Sequence, residues 1–452
     1  MDFDLWRQQL NDRDIQVRAQ AFRQLLAART LGQLNCRTQT ELVNMHCHTF
    51  FSFNAYGYSP TALAWLAVER GWRAMATVDF DVLDAVDEVL SACDEAGVRG
   101  AAGLETRVFV QEFLSRELNS PGEPGICYFV GVGFVHQTAP VGAAQVLAEM
   151  RAGAAQRNRE IAERINAHVG LAAIDYDRDV LPLTPTSNAT ERHMLVAYDM
   201  AARRAFPTRR DLVAFWADKL GMDVKKIEAA FGPEPGPNEL LRSKLMKRGG
   251  VGYVQPNPQS FPTLLQVSQM ISDCGALPTY AWLDGYSAGE QAIEELLQVM
   301  LASGVVGLTV IPERNWNLAD AAEKAEHVRR FDAILQLAAQ MDLPVFIGTE
   351  MNKAGQPMED DFLEVEPLRP WRKVFVDGAD LLYGHTVLER AMGLGYQSAW
   401  AQQHLSTRRE RNVFYTEVGR LVTPEPETVS KLRSKSQADD PMTFLDGIRR
   451  GA

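Results

Sequence analysis

ELVNMHCHTF, residues 41–50, is the stretch on which the fold reading turns. A short apolar run of strand length ends in His46 and His48, two positions apart. In an extended segment that spacing turns both imidazoles to one face and Cys47 to the other. Two imidazoles on one face are what a shared metal ion requires. A histidine pair at a strand end can equally be two satisfied polar groups, so the reading depends on what other strands bring to the same place.

Working outward, six further runs rich in β-forming residues follow at 73–80, 100–110, 126–135, 276–283, 305–312 and 344–351, with helical patterns between them. Seven strands alternating with helices predict a parallel α/β barrel. Barrel enzymes carry their chemistry at the carboxyl ends of the strands. Those ends are strongly polar here: TVDFD at 77–81, GLETR at 103–107 and IGTEMNK at 347–353. Glu105 and Glu350 would add oxygen ligands to the two histidines, a donor set suited to a divalent ion of borderline or hard character.

The alternation stops between about 141 and 250, where the pattern is helical, and resumes after Gly249 and Gly250. The expected organisation is a helical amino-terminal extension over 1–36, a barrel built from 37–140 and 251–384, a helical insertion over 141–250 and a helical extension over 385–452. The stretch from Thr423 to Thr443, rich in proline and charge, is expected to be loosely ordered. Within the insertion, Ser187 or Asn188 can cap a helix whose first turn carries Arg192 and His193. A helix start flanked by arginine favours an anion, although a plain capping box explains the same residues.

Several of these segments resemble the motifs of the polymerase and histidinol phosphatase (PHP) superfamily. MHCHTFFSFNAYGYSP at 45–60 is similar to its HxHTxxS motif followed by a helix that starts with proline, and TVDFDVLDAVDEV at 77–89 to its TDHDTxxG motif. GLETRV at 103–108 looks like its glycine-x-glutamate strand end, continued by CYFVGVGF, and IGTEMNKAGQP at 347–357 like its GSDxHxxxxP motif. The resemblance spans about 41–137 and 254–358. It implies a distorted seven-stranded (β/α)7 barrel that binds up to three Zn, Mn or Fe ions and hydrolyses phosphate esters or supports polymerase proofreading.

Carried over residue by residue, the resemblance leaves His46, His48 and Glu105 at ligand positions unchanged. The histidine of the second motif is Phe80 here, with Asp79 beside it. The one in the fourth strand falls near Tyr128, the one in the fifth falls in TYAWL at 279–283, and the aspartate-x-histidine of the last strand is Glu350 and Asn352. The implied metal set is therefore His46, His48, Glu105 and Glu350, holding one or two divalent ions at most, with Asp79 or Asn54 completing or supporting the shell. Asp79 and Arg107 are the candidate catalytic residues. Arg107, two residues from Glu105, would either orient a phosphate or pair with Glu105 in place of a lost metal. Arg192 and His193, in a segment similar to a family helix start, are the candidate substrate-binding residues.

Bulk properties narrow the function classes. Over 452 residues the net charge is −12 and the isoelectric point about 5.3, so the surface offers no basic footprint for nucleic acid. No run approaches a membrane span, the first residues lack a basic and apolar leader pattern, and the five cysteines never form a CxxC pair. The expectation is a cytoplasmic protein with reduced thiols that acts on a small phosphorylated molecule, with no nucleic-acid or membrane partner. Two functions follow: a metal-dependent phosphoesterase with a reduced metal set, or an inactive barrel that binds a small ligand or a partner.

Overall fold

A computed structural model describes residues 2–434 and 440–449. It contains seven strands: β1 (Val43–Cys47), β2 (Ala74–Phe80), β3 (Arg99–Phe109), β4 (Ile126–Val132), β5 (Leu277–Trp282), β6 (Gly307–Val310) and β7 (Val345–Ile347). They are hydrogen-bonded in chain order from β1 to β7. Each falls in a run expected from the sequence, and nearly every strand residue is buried, as befits strands covered on both faces.

One feature departs from an all-parallel barrel: β4 runs antiparallel to both β3 and β5. A parallel return needs a crossover that carries the chain back along the strand, usually as a helix. Residues 110–125 form only the short turn Gln111–Phe113 before β4 begins, so the chain doubles back instead.

The barrel is nearly closed, through a seam between β1 and the residues just after β7. Cys47 and Glu350 form a parallel bridge, in which the Glu350 amide donates to His46 O and the His48 amide donates to Glu350 O, both at 2.8 Å. The Asn44 side chain reinforces the seam. Its Nδ2 donates to Thr349 Oγ1 at 2.8 Å and to Met358 O at 2.9 Å, while its Oδ1 accepts from the Thr349 amide at 3.2 Å. Gly348 permits this approach, since a Cβ there would stand 2.4 Å from both the N and the Cβ of His46.

Helices cover the strands and are punctuated as propensity requires. Pro60–Arg70 is capped by Ser59 with proline in its first turn, and it ends at Gly71 with φ 68°. Helix Arg372–Met392 presses so closely on β7 that a Cβ at Gly378 would lie 2.0 Å from Val345 O. Its buried Asp380 accepts two hydrogen bonds from Arg73, at 2.9 and 3.0 Å. Arg99 and Arg420 stand 3.6 and 3.5 Å from the same carboxylate. His385, on this helix, bonds Gly133 O and the Tyr396 amide and belongs to the core. Of the stretch expected to be loosely ordered, Thr428–Arg433 is helical, and residues 435–439 lie outside the described residues.

The chain forms two compact units. The first comprises Met1–Phe50, Asn54–Val146 and Pro262–Ala452; the second comprises Phe51–Phe53 and Leu147–Phe261. Among its described residues the second unit is helical without strands. It has its own core, with Ile165, Leu195, Tyr198, Trp216 and Leu241. No helix among the described residues is long and apolar enough to cross a membrane.

Candidate metal centre

The centre starts from β1. Between Asn44 and Cys47 its register against β2 slips by one residue, a bulge in the segment that carries His46. Bulges re-aim side chains and are frequent beside functional sites. From here His46 Nε2 lies 3.2 Å and His48 Nε2 3.3 Å from Glu105 Oε2, which β3 supplies. All three side chains are buried, and one donor atom from each lies within 4.8 Å of the others.

The electrostatics match the geometry. Burial alone would raise the Glu105 carboxyl, but the His46 and His48 rings hold it down at about 2, so it is ionised. Burial works against a charged His48, and the hydrogen bond to Glu105 overcomes it and raises that ring above its ordinary value. His46 Nδ1 is buried without a hydrogen-bond partner. Two imidazoles and a carboxylate are a donor set that catalytic zinc sites use, and donors each ~2.1 Å from one ion lie about 3.4 Å apart, close to the observed separations. The residues therefore fit a divalent ion.

The turn after β1 is fixed by its neighbours. Asp79 accepts from the Thr49 amide at 2.8 Å and from Thr49 Oγ1 at 2.7 Å. Asn54 Nδ2 donates to His48 O at 2.8 Å. These contacts make Asp79 and Asn54 supports of the histidine-bearing segment.

Aromatic rings fill the wall beside His48. Phe80 stacks on its imidazole with centroids 4.8 Å apart and planes at 11°, and Tyr128 meets Phe80 edge-on at 6.4 Å. These are two of the positions where the resemblance would place histidines.

The remaining candidates are distributed differently from expectation. Glu350, with φ 60°, occupies a left-handed backbone conformation that costs a non-glycine residue on the order of 1 kcal/mol and recurs at functional sites. Its carboxylate stands outside the three-donor group. It accepts from Arg314 Nη2 at 2.9 and 3.2 Å and from Asn352 Nδ2 at 3.2 Å. Burial would raise its pKa, but the Arg314 charge keeps it lowered.

Arg107 forms an ion pair with Glu123, while the two histidines face Glu105. Its Nη1 donates to Glu123 at 3.0 Å, and its guanidinium lies over the Tyr128 ring at 5.9 Å.

Arg192 and His193 belong to the second unit. Neither Ser187 nor Asn188 caps their helix: Glu191–Ala205 is capped by Thr190, in a box closed by His193 Nδ1, which accepts from the Thr190 amide at 3.1 Å. Ser187 has φ 60° and the Asn188 side chain donates to Phe51 O, so neither serves the helix end. Burial lowers His193 to about 4 and keeps it neutral, while Arg192 pairs with Glu239.

Sequence reasoning missed Arg314, on the short helix Glu313–Trp316 just after β6. The rule that examined strand ends for chemistry, applied to the sixth strand, would have found it.

No family model matches the chain, and no curated protein matches it in sequence. Solved structures do. An amidohydrolase from Chromobacterium violaceum, determined with bound sulfate and no metal, is 17% identical with a TM-score of 0.46, covering 74% of this chain and 95% of that one. A candidate metal-dependent phosphoesterase from Bifidobacterium adolescentis is 19% identical with a TM-score of 0.45, covering 75% of this chain and 98% of that one.

Proposed function

We propose that this protein is a metal-dependent phosphoesterase acting on a small phosphorylated substrate, with one divalent ion (Zn, Mn or Fe) held by His46, His48 and Glu105. The observation that carries the reading is the buried convergence of these three donors within 4.8 Å of one another. A bound ion would supply Lewis acidity toward a phosphoryl oxygen and toward water. The chain's own residues do the rest. Glu105 stays ionised and keeps both imidazoles turned toward it. Asp79 and Asn54 hold the turn on which His48 sits, and the seam through Glu350 fixes the backbone of both histidines. Phe80 and Tyr128 keep water from one side of His48, and Arg107 is held near the Tyr128 ring by Glu123.

The test is elemental analysis of the purified protein, followed by assay of phosphomonoesters and phosphodiesters with added Mn or Zn, comparing wild type with His46→Ala. The expected result is about one ion per chain and hydrolysis that disappears in the variant. No metal uptake, with the same background hydrolysis in both proteins, would overturn the reading. A second reading, a barrel that binds a small ligand without turning it over, is favoured by the Phe80 ring stacked on His48. It would give ligand binding with background hydrolysis only.

A further inference from the structure

Arg314 is the cation nearest the centre that no sequence motif announced. Its Nη2 donates to both oxygens of Glu350, and no other hydrogen bond is formed by its guanidinium among the described residues. Nε and Nη1 are thus left with three N–H donors, on a side chain 44% exposed. Glu105 and the Tyr128 hydroxyl lie close enough to act on its charge as well. Its anchor is rigid, because the backbone of Glu350 pairs with His46 O and the His48 amide, the segment that supplies two of the three metal donors.

We infer that Arg314 is the phosphate-binding residue of this site, offering its uncommitted Nε and Nη1 donors to the phosphoryl oxygens while Glu350 holds its Nη2 edge. The inference rests on the metal-dependent reading only for the identity of the substrate; the anion site itself needs no metal.

The charge balance explains why such a residue is needed. Glu105 and Glu350 both stay ionised at the centre, so the site carries negative charge of its own. Arg314 offsets part of that charge, which lowers the repulsion an anionic substrate meets. A guanidinium also offers planar, paired donors that fit a phosphoryl group. Glu350 acts here as a positioning residue. Its left-handed backbone, φ 60°, turns the carboxylate toward Arg314 after closing the seam.

The probe is inorganic phosphate, titrated by calorimetry into the full chain, once as purified and once after metal removal by chelation. Arg314→Ala should weaken phosphate binding roughly 10- to 100-fold, the loss expected of charge-assisted hydrogen bonds. Metal content should be unchanged, and Arg314→Lys should recover part of the affinity. In turnover assays the loss should appear mainly in KM, and added guanidinium should partly rescue Arg314→Ala.

If Arg314→Ala also loses metal or stability, Glu350→Gln decides: it leaves Arg314 in place but removes its anchor, so phosphate affinity should fall less than in Arg314→Ala. An equal or larger fall overturns the inference, as does unchanged phosphate affinity in Arg314→Ala. Wild type that binds phosphate through Arg314 yet takes up no metal would refute the metal-dependent function and leave this inference standing. Wild type that binds phosphate in neither state would refute the inference itself.

Discussion

Replacing Glu105 with glutamine removes one charge and keeps the shape, so it isolates what the carboxylate does between His46 and His48. With a ligand rather than a supporting partner lost, ion affinity should fall by more than the roughly 10- to 100-fold typical of outer residues. In the metal-free protein the His48 ring, deprived of the bond that raises it, should titrate lower as burial takes over. Elemental analysis and an NMR titration of the imidazole check the two halves. A second residue-scale prediction concerns Asp360, whose carboxyl burial raises to about 7, with Trp316 Nε1 donating to Oδ1 and Oδ2 left without a partner. Between its ordinary value of 3.8 and about 7 the folded chain holds a proton there that the unfolded chain has released. Stability from this group therefore falls as pH rises through that window and levels off above it. Asp360→Asn should gain on wild type across the same window, as urea unfolding at several pH values would reveal. His46, His48 and Glu105 were legible because strand spacing and strand ends say where side chains converge. Arg314 carries no periodic signal; only its place on the short helix just past the end of β6 marks it, and the strand-end rule was not carried that far.

Elements were legible where hydrophobic runs are bounded by helices, which is why all seven strands fall in their expected places. Strand direction was not, because β4 has the same composition whichever way it runs; only the lack of a helix between it and β3 decides. The cap of helix Glu191–Ala205 moved from Ser187 or Asn188 to Thr190 for a related reason, since three polar residues within four positions can cap and only the backbone path selects one. At this scale the seam between β1 and the end of β7 is the sensitive point. Gly348→Ala places a methyl group 2.4 Å from backbone and side-chain atoms of His46, so the two segments must separate. Overpacking of this kind costs about 1–3 kcal/mol. Thermal unfolding should show that loss, and metal uptake should fall with it because His46 is displaced. A variant that keeps full metal content would mean that the donors tolerate a shifted strand.

In the first unit, segments far apart in sequence are tied together by a few buried charges. Asp380 holds Arg73 at the start of β2, Arg99 at the start of β3 and Arg420 on the helix Arg408–Leu421. Arg99 already has a lowered pKa, chiefly through burial and then through the Arg73 charge. Asp380→Ala would leave these cations without their common partner. Removing one side of a buried ion pair costs about 3–5 kcal/mol, and because Arg420 remains open to solvent the lower end, about 3 kcal/mol, is expected by chemical denaturation. The halt in alternation does not say which short piece of the barrel segment groups with the helical stretch. Phe51–Phe53, for instance, groups with the second unit although it begins only a few residues after β1 ends at Cys47. The seam also imposes a timetable. A ribosome adds about 5–20 residues per second, so roughly 15–60 s separate the emergence of the His46 strand from that of the glutamate that closes against it. Throughout that interval β1 presents a free edge to the cell, and an unpaired edge is a template for the wrong partner. Slowing translation late in the message should therefore lower the yield of soluble protein, a vulnerability that belongs to birth and not to the finished fold.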